Sequence, residues 1–521
     1  MDAATIYARR WWTLGVLCLT LLVIGLDNTI LNVALPTLVH DLHATQSQLQ
    51  WIVDTYTIVY AGLLLTTGSM GDKFGRKGVL SLGLVVFGLG SLASAFSGSP
   101  AMLIAARGLA GIGGCIIMPA TLSILTNVFP APERGKAIGI WAGVSGLGIV
   151  VGPTVGGWLL QHFWWGSVFL VNVPIVIAAL IAGHFLVPTS RDPSSPRLDP
   201  LGTVLSAAGL VAVLYAIIEG PGKGWSNSTV LAAFAFGIAL LAAFIWTELH
   251  SDHPMLDVRF FQNPRFSGAS IAVSLIFFAM FGSLFFLTQY LQNVLGYSAL
   301  RAGLGFTPLA IMLMISAPNS TRLTRRFGTK LVVAGGMGVV ALAMLLLSRV
   351  TVHSGYLPVG ITLALLGAGI GTAMSPATES IMGSLPLAKA GVGSAVNDTT
   401  RQVGGAMGVA ILGSITNSVY RSHVSSSAVW SALPGAARTA VRNGVGNALA
   451  VAQHLGSSPA AARLAIDAKL SFVHAMSTTV SIGAVFALAG AIVALLWLPA
   501  RPSDEVAEPA VVEPEILQLA S

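Results

Sequence analysis

GCIIMPATLSIL, residues 114–125, returns as GTAMSPATESIM at residues 371–382. Six of the twelve positions are identical without a gap: Gly, Pro, Ala, Thr, Ser and Ile. A second pair, GSMGDKFGRK (68–77) and TRLTRRFGTK (321–330), shares Phe-Gly and a terminal Lys. The apolar runs around these stretches give the repeats their meaning. A membrane span takes about 20 mostly apolar residues. Fourteen segments qualify: 12–35, 49–70, 79–97, 101–125, 136–160, 164–187, 201–219, 228–247, 267–289, 303–320, 331–349, 357–383, 391–418 and 472–498. The first pair ends spans four and twelve. The second joins spans two and three, and spans ten and eleven. Both pairs fall into register when spans 1–6 and 9–14 are two copies of one unit and spans 7 and 8 are an insertion.

The expected organisation is therefore all-α and polytopic. A six-helix half occupies 1–190, two inserted helices 191–262, and a second six-helix half 263–500. A long loop at 419–471 precedes the last span. An acidic tail, 501–521, reads as disordered. Parallel six-helix halves are an architecture of secondary transporters, with the substrate site between them near mid-membrane.

Composition agrees. The chain of 521 residues is 54% hydrophobic and 9% charged, where soluble domains carry about 25% charged residues. The net charge of +7 is membrane topology rather than a nucleic-acid footprint. With the N-terminus inside, alternate short loops hold Arg9, Arg10, Lys73, Arg76, Lys77, Arg134, Lys136, Arg191, Arg197, Arg259, Arg265, Arg322, Arg325, Arg326, Lys330, Lys389 and Arg501. The opposite short loops hold only Lys223, Arg301 and Arg349. Positive charge collects on the cytoplasmic side, so both termini are expected in the cytoplasm of a cell-membrane protein. Cys18 and Cys115 lie in apolar runs and suggest neither disulfide nor metal. His40, Asp41 and His43 have a metal-like spacing but read as a solvated turn. No phosphate loop of the form G-x-x-x-x-G-K-[ST] appears, so ATP is not the expected energy source. No cofactor and no enzymatic site are expected.

Charges inside the spans are the candidate chemistry, because an ionised group at a helix centre costs about 2.5–3.5 kcal/mol on insertion scales. Asp27, Asp54 and Arg107 lie roughly 12, 8 and 9 Å from the same ends of their helices, so the three can meet in one layer. Asp398, Arg401 and Glu379 sit toward the other side. Carboxylates at two depths suit a carrier that takes protons from one side and releases them to the other. Gly148, Gly152 and Gly156 recur every fourth residue and make a close-packing face; Pro153 adds a weak point.

These stretches also carry a resemblance. GSMGDKFGRKG (68–78), with Gly68, Asp72, Gly75, Arg76 and Lys77, resembles the signature loop of the major facilitator superfamily, with Lys73 where the family usually has Arg. The resemblance implies a latch holding the two halves in the outward-facing state. GLGIVVGPTVGG (146–157) matches the antiporter motif of that superfamily's drug-proton exporters at Gly148, Gly152, Pro153, Gly156 and Gly157. Arg107 resembles the helix-4 motif R-x-x-q-G, with Ala110 where Gln is common. LDNTILNVALP (26–36), Trp51-Val53-Tyr56, Phe169-Asn172-Pro174 and Arg401-Gln402-Gly404-Gly405 resemble patterns of the fourteen-helix drug:H+ antiporter family of the EmrB/QacA type. The resemblance covers nearly the whole chain and implies a proton-driven exporter of lipophilic, often cationic, drugs. Under it, Asp27, Asp54, Arg107, Asp398, Arg401 and Glu379 are candidates for proton coupling or cation recognition, with Asp27 and Asp54 foremost, and the transporter is expected to work as a monomer. Two alternatives stay open: a dedicated exporter of one metabolite or antibiotic, and a non-transporting membrane sensor or membrane enzyme.

Overall fold

The computed structural model describes residues 3–42, 46–191, 199–251, 254–427 and 429–500. In chain order its α-helices are α1 (Ala3–Asp41), α2 (Gln46–Phe74), α3 (Arg76–Ala95), α4 (Pro100–Val128), α5 (Ala131–His162), α6 (Ser167–Leu170), α7 (Asn172–Leu186), α8 (Pro200–Lys223) and α9 (Ser228–His250). There follow α10 (Pro264–Gln289), α11 (Ala299–Leu304), α12 (Thr307–Phe327), α13 (Thr329–Leu347), α14 (Tyr356–Met382), α15 (Ala390–Val424), α16 (Gly435–Arg442), α17 (Val445–His454) and α18 (Pro459–Trp497). All fourteen expected spans fall on these helices. Two are split: the sixth into α6 and α7, the tenth into α11 and α12.

Local sequence sets the boundaries. Four helices begin with a polar N-cap followed by proline: Ser99-Pro100, Asp199-Pro200, Asn263-Pro264 and Ser458-Pro459. Each cap side chain accepts a backbone N–H of the first turn, and proline at the first position forfeits an N–H that has no helical partner anyway. The Phe-Gly shared by the shorter repeat proves to be a shared backbone conformation. Gly75 and Gly328 have φ of 100° and 83°, a region open to glycine at little cost, and each turns one helix into the next.

Packing repeats as well. α2, α3 and α4 pack on one another, and so do α12, α13 and α14; α1 lies on α5 as α10 lies on α15. α2 meets α15, and α5 meets α12, across the middle of the molecule. The two repeat stretches lie on α4 and α14, each with a proline inside the helix, Pro119 and Pro376.

Among the described residues, twelve helical segments are long and apolar enough to cross a membrane. α2 carries Asp54 and several threonines among its apolar residues and packs on α4, α15 and α8, and α5 packs on α1 and α12. The loop expected at 419–471 is a correction: α15 runs on to Val424, α16 and α17 follow, and α18 starts at Pro459. Hydropathy detects the apolar stretch of a helix and misses the polar turns that project from the membrane. α1 likewise continues through Asp41. The acidic tail 501–521 lies outside the described residues, as does His43. Below, the near face is the one holding the start of α1; the far face is opposite.

Candidate functional site

The antiporter-type glycines are a helix contact. Gly148 lies against the backbone of Gly25, where an added Cβ would come within 2.6 Å of Gly25 Cα. A Cβ on Gly152 would collide with Thr29 Oγ1, and one on Gly156 would sit 2.6 Å from Ile30 Cγ1. Thr29 Oγ1 donates to the Gly148 carbonyl at 2.7 Å. α1 and α5 therefore touch at backbone distance. Pro153 and Gly157 face α11, against Gly303 and Leu300.

Asp27, two residues from Gly25, is turned away from α5 and is buried against α4 and α7. Its carboxylate is fully enclosed, with Oδ2 2.6 Å from Arg107 Nη1. Asn172 Nδ2 donates to Oδ1 at 2.9 Å, and Arg107 Nε donates to the Ile52 carbonyl at 3.3 Å. The guanidinium lies 4.3 Å from the Tyr56 ring centroid and 5.8 Å from that of Phe169. Asp27 and Arg107 meet as expected; Asp54 does not join them. Helical rotation explains it: Ile52 offers its carbonyl to Arg107, and Asp54, two residues on, is turned by about 200°. Asn172, Tyr56 and Phe169 complete the buried cluster; their residues were legible as motif positions, their partnership was not.

Asp54 instead opens onto a central cavity of about 880 Å3. Asp398, Arg401 and Gln402 of α15 line the same cavity, while Phe277, Met280, Phe281 and Phe285 of α10 and Met118 and Met374 supply aromatic and thioether surface. Asp398 is buried. Its Oδ1 accepts from Asn397 Nδ2 at 3.3 Å and lies 3.7 Å from Arg401 Nη1, while its Oδ2 has no hydrogen-bond partner among the described residues. Arg401 donates to Thr378 Oγ1 at 3.3 Å and rests over Trp141, 4.7 Å from the ring centroid. Gly404 lets α15 approach the Ser274 backbone of α10. One carboxylate from each set, Asp54 and Asp398, thus lines the same space.

Glu379 stands apart from that cavity. It lies against Gly135 of α5, with Arg134, Arg265 and Arg325 as its surrounding charges. Ser375 Oγ donates to the Gly135 carbonyl at 3.2 Å, tying α14 to α5. The other near-face tie is the signature loop. Asp72 Oδ1 accepts from Arg76 Nη2 at 2.7 Å and from Gly391 N at 3.0 Å; Oδ2 accepts from Val392 N at 3.2 Å. Arg76 also donates to the Leu387 and Ala388 carbonyls at 3.0 and 3.1 Å. A carboxylate is thereby set on the N-terminus of α15, where the helix dipole favours it. Gly68 permits the approach, since a Cβ there would lie 2.5 Å from the Gly391 carbonyl oxygen. Lys77 points elsewhere and donates to the His184 carbonyl of α7 at 2.6 Å.

Two parts of the cavity wall were not anticipated. Ile218, Pro221 and Gly222 of inserted helix α8 line it, and so do Asn443, Gly444 and Val445 between α16 and α17. α8 packs on both α2 and α15, and Trp225 Nε1 donates to Ser414 Oγ of α15 at 2.9 Å. Pro221-Gly222, just past the apolar run 201–219, was the available signal, since interrupted helices mark transporter sites.

The comparisons with known proteins agree with this architecture. A multidrug efflux pump of Mycolicibacterium smegmatis, LfrA, is 37% identical over 486 residues, covering 93% of this chain and 95% of that protein. A tetracenomycin C resistance and export protein of Streptomyces glaucescens is 31% identical over 517 residues, covering 97% and 95%. The crystal structure of the human organic anion transporter MFSD10 superposes with a TM-score of 0.59 at 14% identity, covering 92% of this chain and 99% of that one; this likeness speaks to the fold alone. The model of the Major Facilitator Superfamily matches residues 17–409, and the chain belongs to that family.

Proposed function

We propose that this protein is a proton-driven exporter of lipophilic, often cationic, drugs, working by alternating access as a monomer in the plasma membrane. The single observation that carries the reading is the central cavity, lined by both Asp54 of α2 and Asp398 of α15 amid phenylalanine and methionine. Aromatic faces and polarizable sulfur accept bulky organic cations of varied shape. A carboxyl group holds either a proton or a cation's field, so drug and proton compete for it. Relatives named for efflux and resistance support export. The halves are 1–190 and 263–500, with 191–262 inserted beside the seam, and both termini are cytoplasmic by the distribution of Lys and Arg. Near-face ties through Asp72, Arg76 and Glu379 then hold the outward-facing arrangement. Energy comes from the proton gradient, without a cofactor; an elementary charge crossing 100 mV is worth about 2.3 kcal/mol.

The test is ethidium efflux from energised cells expressing the protein, with and without a protonophore. Export that collapses on discharge, and that Asp54→Asn and Asp398→Asn reduce at unchanged protein level, is the expected result. Absence of efflux from well-expressed protein would move the assignment to a dedicated exporter of one metabolite. Efflux that survives the protonophore would overturn the proton coupling.

A further inference from the structure

On the far face a basin of about 610 Å3 lies between the α8–α9 turn and the end of α15. Its walls hold Arg421, Arg442, Asn417, Ser418, Ser422 and Ser425, with no carboxylate among the described lining residues. Arg421 Nε donates to the Arg442 carbonyl at 3.2 Å, and among the described residues neither of its terminal nitrogens has a partner. The Arg442 guanidinium has no hydrogen bond or ion pair among the described residues. Glu219, an acid on the neighbouring α8 turn, is held by Lys223 at 3.2 Å. Two guanidinium forks, an amide and three hydroxyls therefore line one basin without a counter-charge.

That set of donors matches a tetrahedral oxyanion, which arginine binds through paired, charge-assisted hydrogen bonds. Position narrows the source. Arg421 lies 31 residues beyond Ala390, or roughly 46 Å along α15, past a hydrocarbon core about 30 Å thick and level with headgroups. Trp225 lines the same basin with its ring nitrogen fixed on Ser414, a usual residue at that depth. Pro221 and Asn417 belong to both the basin and the central cavity, so an occupant stands beside the transport path.

We propose that this basin is a phosphate site, filled in the membrane by the headgroup of an anionic phospholipid. The orientation proposed above decides only which leaflet supplies it; binding in detergent reads the site whichever way the chain is inserted, and independently of export. The experiment is native mass spectrometry of the delipidated full-length protein, titrated with dioleoylphosphatidylglycerol, with dioleoylphosphatidylcholine and with sodium phosphate. The anionic lipid is expected to bind in preference to the zwitterionic one. Arg421→Gln with Arg442→Gln should weaken it at least about tenfold. Arg442→Gln alone should weaken it with the melting temperature unchanged, because that guanidinium holds nothing in the fold. Equal retention of the lipid by parent and R442Q would overturn the proposal. Displacement of the lipid by millimolar phosphate would overturn the lipid as the source while keeping the oxyanion chemistry.

Discussion

Replacing Asp27 by asparagine should unfold the protein more easily before it changes anything about proton transfer. Asp27 and Arg107 are 0% and 2% exposed and 2.6 Å apart. Breaking such a pair by neutralising one partner typically costs about 3–5 kcal/mol, because a charge is left buried without its counter-ion. The structure points to the lower part of that range. The Ile52 carbonyl and the Tyr56 ring remain beside the guanidinium, and a desolvated cation–π contact is worth about 2 kcal/mol or more. D27N is therefore expected to lose about 3 kcal/mol. Arg107→Gln added to D27N removes the stranded charge, so the double variant should be more stable than D27N, with a coupling energy of about 1–3 kcal/mol. The assay is unfolding in mixed micelles against dodecyl sulfate mole fraction, followed by far-UV circular dichroism. D27N within 0.5 kcal/mol (roughly the usual scatter of surface substitutions) of the parent, with the two substitutions additive, would refute the reasoning and return Asp27 to the role of a mobile proton carrier.

Gly148→Ala should destabilise by about 1–3 kcal/mol, since its Cβ meets Gly25 backbone that no rotamer change can move; Gly71→Ala, with nothing within 4 Å of the new Cβ, should be neutral or gain up to about 1 kcal/mol from helix propensity, and thermal unfolding separates the two. Ile218→Trp should change the order of preferred substrates in an efflux panel without lowering protein level, because it fills cavity wall contributed by the insertion; an unchanged order would remove α8 from substrate contact. Asp72→Asn should open the near face, read as faster thiol labelling of A388C in a background without native cysteine. The Arg10 guanidinium, 2.7 Å away, holds the Glu133 carboxyl below the usual glutamate range; a lowered carboxyl contributes above its ordinary pKa and is lost as pH falls through the lowered one. The stability difference between parent and Glu133→Gln should therefore be present at neutral pH and vanish in acid.

Much of the architecture was written in the chain. Apolar run length, the proline-containing repeat on α4 and α14 and the Phe-Gly pair at 74–75 and 327–328 are local signals, because a span, a helix start and a left-handed turn are decided by a few neighbouring residues. The motif glycines announced close contact for the same reason: a missing side chain matters only where backbones touch. Which backbone they touch was not local. The sequence counted Asp27, Asp54 and Arg107 as one layer from their depths, but depth leaves out rotation about the helix axis, and rotation is set by what each face packs against. Packing sent Asp27 into a sealed pair with Arg107 and Asn172 and turned Asp54 to the cavity that Asp398 also lines. It also made α8 and the turn at 443–445 into cavity wall, a role that residues far apart in sequence acquire only when α2 and α15 come together.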